Sequence, residues 1–231
     1  MPTPLQVLFE DNHCLAVAKP APLLTQAPPG VPSLEALARD YLRERYHKTG
    51  RVYLGVPHRL DRPVSGVVLF ARSSKAAQRL SAQFQTRCVR KRYWAAVEGE
   101  VFPDCGTWDD WIRKIDGEAR AVPARPDEPA AQRAVLHYRR IGACAGGMLL
   151  EVETDTGRMH QIRVQASMHG WPVRGDELYG ATLPFGPAAE LPRDRIIALH
   201  ARALTFLHPI RYEPITVEAP LAPPWQEIEV G

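Results

Sequence analysis

Pro57-His58-Arg59-Leu60-Asp61-Arg62-Pro63-Val64-Ser65-Gly66 leads directly into the apolar run Val67-Val68-Leu69-Phe70. Proline at 57 and 63 excludes regular helix and Ser65-Gly66 supplies turn chemistry, so Asp61 is predicted on an irregular loop at the mouth of a strand. Large apolar residues in succession, without alternation, mark that strand as central and covered on both faces. Loops held by rigid strands are where catalytic groups usually lie. Asp61 stands there as one carboxylate between Arg59 and Arg62. A structural ion pair with either arginine is the plain alternative.

On the N-terminal side, residues 7–19 read as a hairpin, with a polar turn at Asp11-Asn12-His13, followed by a proline-rich loop over 21–32. The spacing predicts a helix over 33–46, capped by Ser33, with Leu34, Leu37, Tyr41 and Leu42 as its apolar stripe and Gly50 just past its end. On the C-terminal side, residues 74–84 return to helical spacing, with Ala76, Ala77, Leu80 and Phe84 inward. Tyr93-Trp94-Ala95-Ala96-Val97 reads as a strand, and 101–132, holding Trp108 and Trp111, as a long hairpin or surface excursion. Alternation over 133–140 and 148–153 predicts paired strands; a helix follows over 160–168, a strand over 197–207 and a proline-rich edge or tail over 209–224. The expected fold class is α+β: a mixed, mainly antiparallel sheet with flanking helices and loops. No long polar linker interrupts the 231 residues, so one domain over 1–231 is expected.

Composition narrows the function classes. Hydrophobic content of 45% and charged content of 24% are ordinary for a soluble globular protein. The net charge of +3 is mild but unevenly spread: from His58 to Glu98 there are nine Arg or Lys against two acids. Basic charge concentrated around a candidate site suits a phosphate backbone. Cys14, Cys88, Cys105 and Cys144 show no metal-site spacing, so buried free thiols in a reducing cytosol are expected, with no metal and no cofactor. The residues from Met1 to Val7 lack a charged leader followed by an apolar core, and no apolar run is long enough to span a bilayer. A cytoplasmic protein without membrane contact is expected.

A second segment, Thr156-Gly157-Arg158-Met159-His160-Gln161-Ile162-Arg163-Val164, joins the first, with Lys91-Arg92-Tyr93 between them and Gly175-Asp176-Glu177-Leu178-Tyr179-Gly180 after. This ordered set resembles the RluA-type pseudouridine synthases, over nearly the whole chain. The resemblance implies that family's catalytic domain fold and an RNA partner, a ribosomal or transfer RNA stem-loop; a monomer is the simplest expectation. The resemblance also implies that Asp61 is the nucleophile, Tyr93 lies against the target base and Arg163 pairs with the aspartate, Arg59 being the competing partner by proximity. An S4-type RNA-binding domain, common among relatives, is not expected before the catalytic segment. Departures are Val64 before Ser65-Gly66 where Thr is common, Gln165 and Trp171 where His is frequent, and Ala21-Pro22 after Lys19-Pro20 where the family usually has Gly.

Pseudouridine formation requires breaking the C1'–N1 bond of uridine, turning the base and joining C5 to C1'. A carboxylate can attack the sugar or stabilise a cationic or glycal species, and an adjacent guanidinium would keep it ionised and poorly hydrated. Tyrosine can stack on a flipped pyrimidine, whereas an ordinary phenol near pKa 10 is a poor base. Contacts from Leu60, Gln161 and Ile162 could complete the pocket, core packing being the readier duty of the two aliphatics; His58 and His160 are expected to position loops, the basic residues of 87–92, with Arg90, Lys91 and Arg92, to hold flanking phosphates, and Arg59 and Arg62 to bind substrate. A uridine inside folded RNA must be flipped out to reach a buried carboxylate. The competing reading from another class is a catalytically silent RNA-binding protein of the same fold. A glycoside hydrolase would need a second carboxylate at a set distance, and Asp155, Asp176 and Glu177 are tied to Asp61 by no spacing.

Overall fold

The computed structural model describes residues 5–221, 223–226 and 228; the start of the segment read for a leader, residues 1–4, lies outside them. In chain order the elements are β1 (Gln6–Glu10), β2 (Cys14–Lys19), α1 (Leu34–Arg45), β3 (Ser65–Ala71), α2 (Ser74–Gln85), β4 (Arg90–Glu98), β5 (Cys105–Lys114), β6 (Ala121–Pro123), β7 (Gln132–Cys144), β8 (Gly147–Thr154), α3 (Gln161–Met168), β9 (Leu199–Leu207), β10 (Pro214–Glu218) and α4 (Pro223–Gln226). The fold class is α+β, as expected, with mostly antiparallel strands. Contacts divide the chain into two compact units, one of residues up to Arg90 with Ala201–Leu221, the other of Lys91–His200 with the described residues beyond 222.

In the first unit β2 runs antiparallel between β1 and β3, and β10 pairs antiparallel with β9. Every residue of β3 is buried, as its unbroken apolar run requires. Leu69 and Val67 of β3 pack with Leu80 of α2, Leu204 and Phe206 of β9 and Val217 of β10. Gly66 has φ +121°, and a Cβ there would stand 2.3 Å from the Ala201 carbonyl oxygen, so a side chain is excluded where β3 begins.

Ser33 caps α1 as predicted, its hydroxyl accepting from Ala36 N. The buried stripe is Leu34, Ala38 and Leu42, with Leu37 and Tyr41 at its margin, because the helical period centres on the small Ala38. Helix α1 ends at Arg45, close to the predicted end at 46: His47 takes the left-handed position at φ +49°, while Lys48 N donates to Arg43 O and His47 N to Glu44 O. These bonds satisfy the last carbonyls, so no glycine is needed. Helix α2 ends the same way, with Arg87 left-handed and Cys88 N donating to Gln83 O.

The second unit is built on the strand order β4-β8-β7-β5-β6. The segment expected as a hairpin or surface excursion holds a hairpin, β5 pairing antiparallel with β6 from Ile112 to Lys114, and β5 also pairs with β7 from Cys105 to Ile112, which makes it part of the sheet. Trp108 is buried against Tyr138 and His169, at ring distances of 4.9 and 4.7 Å, and so serves packing. Helix α3 packs Val164 against Ile112, Ala121, Ala134 and Tyr179. Among the described residues no helix is long and apolar enough to cross a membrane.

Candidate active site

Asp61 lies, half-buried, in the irregular segment before β3, in the first unit. The peptide around it is fixed atom by atom. Leu60 N donates to Thr25 Oγ1 (3.1 Å) and Leu60 O accepts from the same hydroxyl (3.0 Å). Asp61 O accepts from Val64 N, closing a turn, and Arg62 O accepts from Lys19 Nζ at 3.1 Å. His58 sits at the base of the loop, with Nε2 accepting from Leu69 N at 2.9 Å and its ring stacked on Phe84 at 4.5 Å. Leu60 is buried, while Arg59 is exposed.

Lys19, only 1% exposed, organises the proline-rich loop whose shape the Pro22 departure left open. Its ammonium donates to Pro20 O, Leu23 O and Arg62 O, the full set of donors it owns. Burial pushes its pKa down to about 7, against the Asp61 charge, which raises it, and with a further lowering from Arg62. Lys19 and Thr25 were missing from the residues singled out in the sequence. Lys19-Pro20 was the available signal for the lysine; nothing in the local sequence pointed to the threonine.

In the second unit, Tyr93 stands on β4 opposite Val152 of β8. Of the basic residues beside it, Lys91 donates to Thr156 O at 3.1 Å and Arg92 approaches Glu151 at 3.8 Å, while Arg90 opens β4 exposed. Arg163, on α3, is 4% exposed and makes a bidentate pair with Asp176, itself 1% exposed. Its guanidinium also lies 5.0 Å from the Tyr179 ring centroid. Tyr179 in turn holds His160, the left-handed residue before α3, by a 2.9 Å bond to Nδ1. The segment 175–180 thus supplies two orienting residues, Asp176 for Arg163 and Tyr179 for His160.

Gln161 was expected to reach the pocket through its amide. Its amide instead ties the turn before α3: Oε1 accepts from Thr156 Oγ1 (2.7 Å) and Arg158 N (3.1 Å), and Nε2 donates to Val135 O (3.0 Å). Ile162 is buried beside it. Gln165, the departure from histidine, is buried with Nε2 donating to Ala134 O and Asp110 Oδ2, which anchors α3 to β5 and β7.

Asp11, Cys14 and His208 bring possible metal-ligating atoms within 4.8 Å of one another. Their chemistry is that of a structural knot. Asp11 Oδ1 accepts from His13 N and Cys14 N, and Oδ2 from His208 Nε2 at 2.7 Å. His208 Nδ1 accepts from Ile210 N and Arg211 N, which leaves the ring proton on Nε2, where a metal would have to bind. Burial and the Asp11 charge push the Cys14 thiol up to about 12, far from the thiolate a metal needs.

Comparison with known proteins adds four findings. The family described as RNA pseudouridylate synthase matches residues 13–168. Ribosomal large subunit pseudouridine synthase D of Xanthomonas campestris is 37% identical over 224 residues, covering 94% of this chain and 66% of that protein. Dual-specificity RNA pseudouridine synthase RluA of Vibrio vulnificus is 35% identical over 211 residues, covering 88% and 78%. The chain therefore spans about two thirds of the length of the first of these curated relatives. The structure of human RNA Pseudouridylate Synthase Domain Containing 4 superposes with a TM-score of 0.77 at 23% identity, covering 96% of this chain and 92% of that one, a likeness of fold.

Proposed function

This chain belongs to the RNA pseudouridylate synthase family, and we propose that it is an isomerase converting particular uridines of structured ribosomal or transfer RNA to pseudouridine. In this reading residues 1–231 work as one catalytic domain, as a monomer in the cytoplasm. The observation that carries the proposal is that Asp61, Tyr93 and Arg163 stand in their motifs, in order, inside the stretch 13–168 that matches the family. The relatives' names, one ribosomal and one dual-specificity, support RNA as the substrate class.

The chemistry assigns each group a part. The target uridine leaves its stack. The Asp61 carboxylate acts at the sugar as the C1'–N1 bond breaks; the base turns, C5 joins C1', the proton on C5 departs and N1 gains one. The net change is an isomerisation, which needs no outside reagent. Arg163 is the cationic partner assigned to the reacting carboxylate, and Asp176, bonded to its Nε and Nη2, keeps the guanidinium in one orientation. Tyr93 stacks on the flipped base. Arg59, Arg62, Arg90, Lys91 and Arg92 contribute phosphate contacts, with His58 and His160 setting loop positions.

The test uses total RNA carrying tritium at C5 of uridine, from cells lacking this gene. Wild-type protein is expected to release tritium, and Asp61→Ala to release none while keeping RNA affinity. Wild-type rates in Asp61→Ala would refute the assigned nucleophile. Tight RNA binding with no release from either protein would establish the silent RNA-binding alternative.

A further inference from the structure

We propose that Thr25 is a positioning residue for Asp61, holding the peptide that carries the carboxylate from the residue before it. The inference rests on the isomerase reading above for what Asp61 does, but its geometry stands within the first unit.

A hydroxyl offers one donor and two acceptor sites, and Thr25 uses both kinds on a single residue. Its Oγ1 donates to Leu60 O at 3.0 Å and accepts from Leu60 N at 3.1 Å, and these bonds are buried. Both backbone groups of Leu60 are thereby satisfied by one side chain, 35 residues away in sequence. Burial makes the bonds count: without the hydroxyl, an N–H and a carbonyl would lose their partner out of reach of water.

Thr25 is itself immobilised. Its carbonyl accepts from Glu35 N at 3.0 Å, and the Leu24 carbonyl accepts from Leu34 N at 2.8 Å. With Ser33 Oγ on Ala36 N, these bonds occupy the amide groups that the first turn of α1 cannot pair internally. Thr25 therefore transmits the position of a twelve-residue helix to Leu60. On the other side of Asp61, Lys19 Nζ grips Arg62 O, and Val64 N bonds Asp61 O. The backbone is pinned at residues 60, 61 and 62. Reacting groups held in place lower the barrier, and displacement by about 1 Å costs roughly a hundredfold in rate.

Tritium release from the same C5-labelled RNA is the assay, with wild type, Thr25→Val, Thr25→Ser and Asp61→Ala in parallel. Thr25→Val keeps the shape and loses the hydroxyl; Thr25→Ser keeps the hydroxyl. The saturating rate of Thr25→Val is expected to fall about tenfold to a hundredfold, with the half-saturating RNA concentration changed by less than about twofold. Thr25→Ser is expected to recover the rate to within about threefold of wild type, because the hydroxyl that bonds both Leu60 groups is retained. A wild-type rate in Thr25→Val, beside an inactive Asp61→Ala, would overturn the positioning role and leave the isomerase reading intact. Equal losses in rate and RNA affinity, with Thr25→Ser failing alike, would overturn it as well and make Thr25 a folding residue. Silence from wild type would instead remove the isomerase reading, and this inference with it.

Discussion

Arg163 and Asp176 meet as two parallel hydrogen bonds, Nε to Oδ2 at 2.6 Å and Nη2 to Oδ1 at 2.8 Å, with both side chains almost fully buried. Such a pair is costly to break from one side, because the surviving charge keeps its desolvation penalty and loses its partner. Asp176→Ala is expected to lose about 3–5 kcal/mol of stability, and the paired change Arg163→Met with Asp176→Leu considerably less. Denaturant titration of the three proteins decides it. An unchanged midpoint in Asp176→Ala would mean that the guanidinium is compensated without Asp176.

Gly66 admits no side chain for two independent reasons. Its φ of +121° lies where L-residues are strained, and a Cβ would meet the Ala201 backbone at 2.3 Å. Gly66→Ala is expected to cost at least about 3 kcal/mol and to lower soluble yield, whereas Gly50→Ala, which faces open space, should stay within about 0.5 kcal/mol of wild type. Thermal unfolding of the two variants separates these outcomes; equal melting points would sink the steric account.

The free thiols divide by exposure. Cys88 and Cys105 are exposed, Cys14 and Cys144 buried. A thiol-reactive reagent should modify the first two rapidly in native protein and the others only after unfolding. Cys14 should be the slowest, since burial pushes its thiol up to about 12 and leaves almost no thiolate at neutral pH. Rapid labelling of Cys14 in folded protein would contradict this.

Lys19 makes stability depend on pH in a defined direction. Burial lowers its pKa from 10.5 to about 7. Below about 7 the ammonium is charged in both folded and unfolded chains, and its burial penalty is fully felt; between there and 10.5 the unfolded chain binds the extra proton, so stability rises with pH. Wild type should therefore gain stability relative to Lys19→Met as pH increases from about 7 toward 10.5. Parallel stability curves for the two proteins would show that Lys19 does not titrate in this window.

Much of this was legible because it is local. The hairpin of β1 and β2, the Ser33 cap, the buried strand after Gly66 and the helix at 161–168 follow from spacing, capping and turn chemistry within a few residues. The left-handed closure after α1 at His47 was not legible, since a non-glycine residue can occupy that position when neighbouring carbonyls are satisfied. Nor was the place of 105–123 in the sheet, because β5 finds its partner β7 across an intervening loop, and register between distant strands leaves only a weak mark on either one.

For the candidate site the division is similar. The sequence alone determined that Asp61 sits on an irregular loop before a buried strand, and that three motifs follow one another in a family's order: proline, glycine and unbroken apolar runs restrict the backbone wherever they stand. Only the tertiary structure decided which side chains hold those motifs in place, Thr25 on Leu60, Lys19 on Arg62, and Asp176 and Tyr179 on Arg163 and His160. A buried hydrogen bond or ion pair is a contact in space between residues far apart in the chain. Its partners are selected by how strands and helices pack, which no short window of residues records.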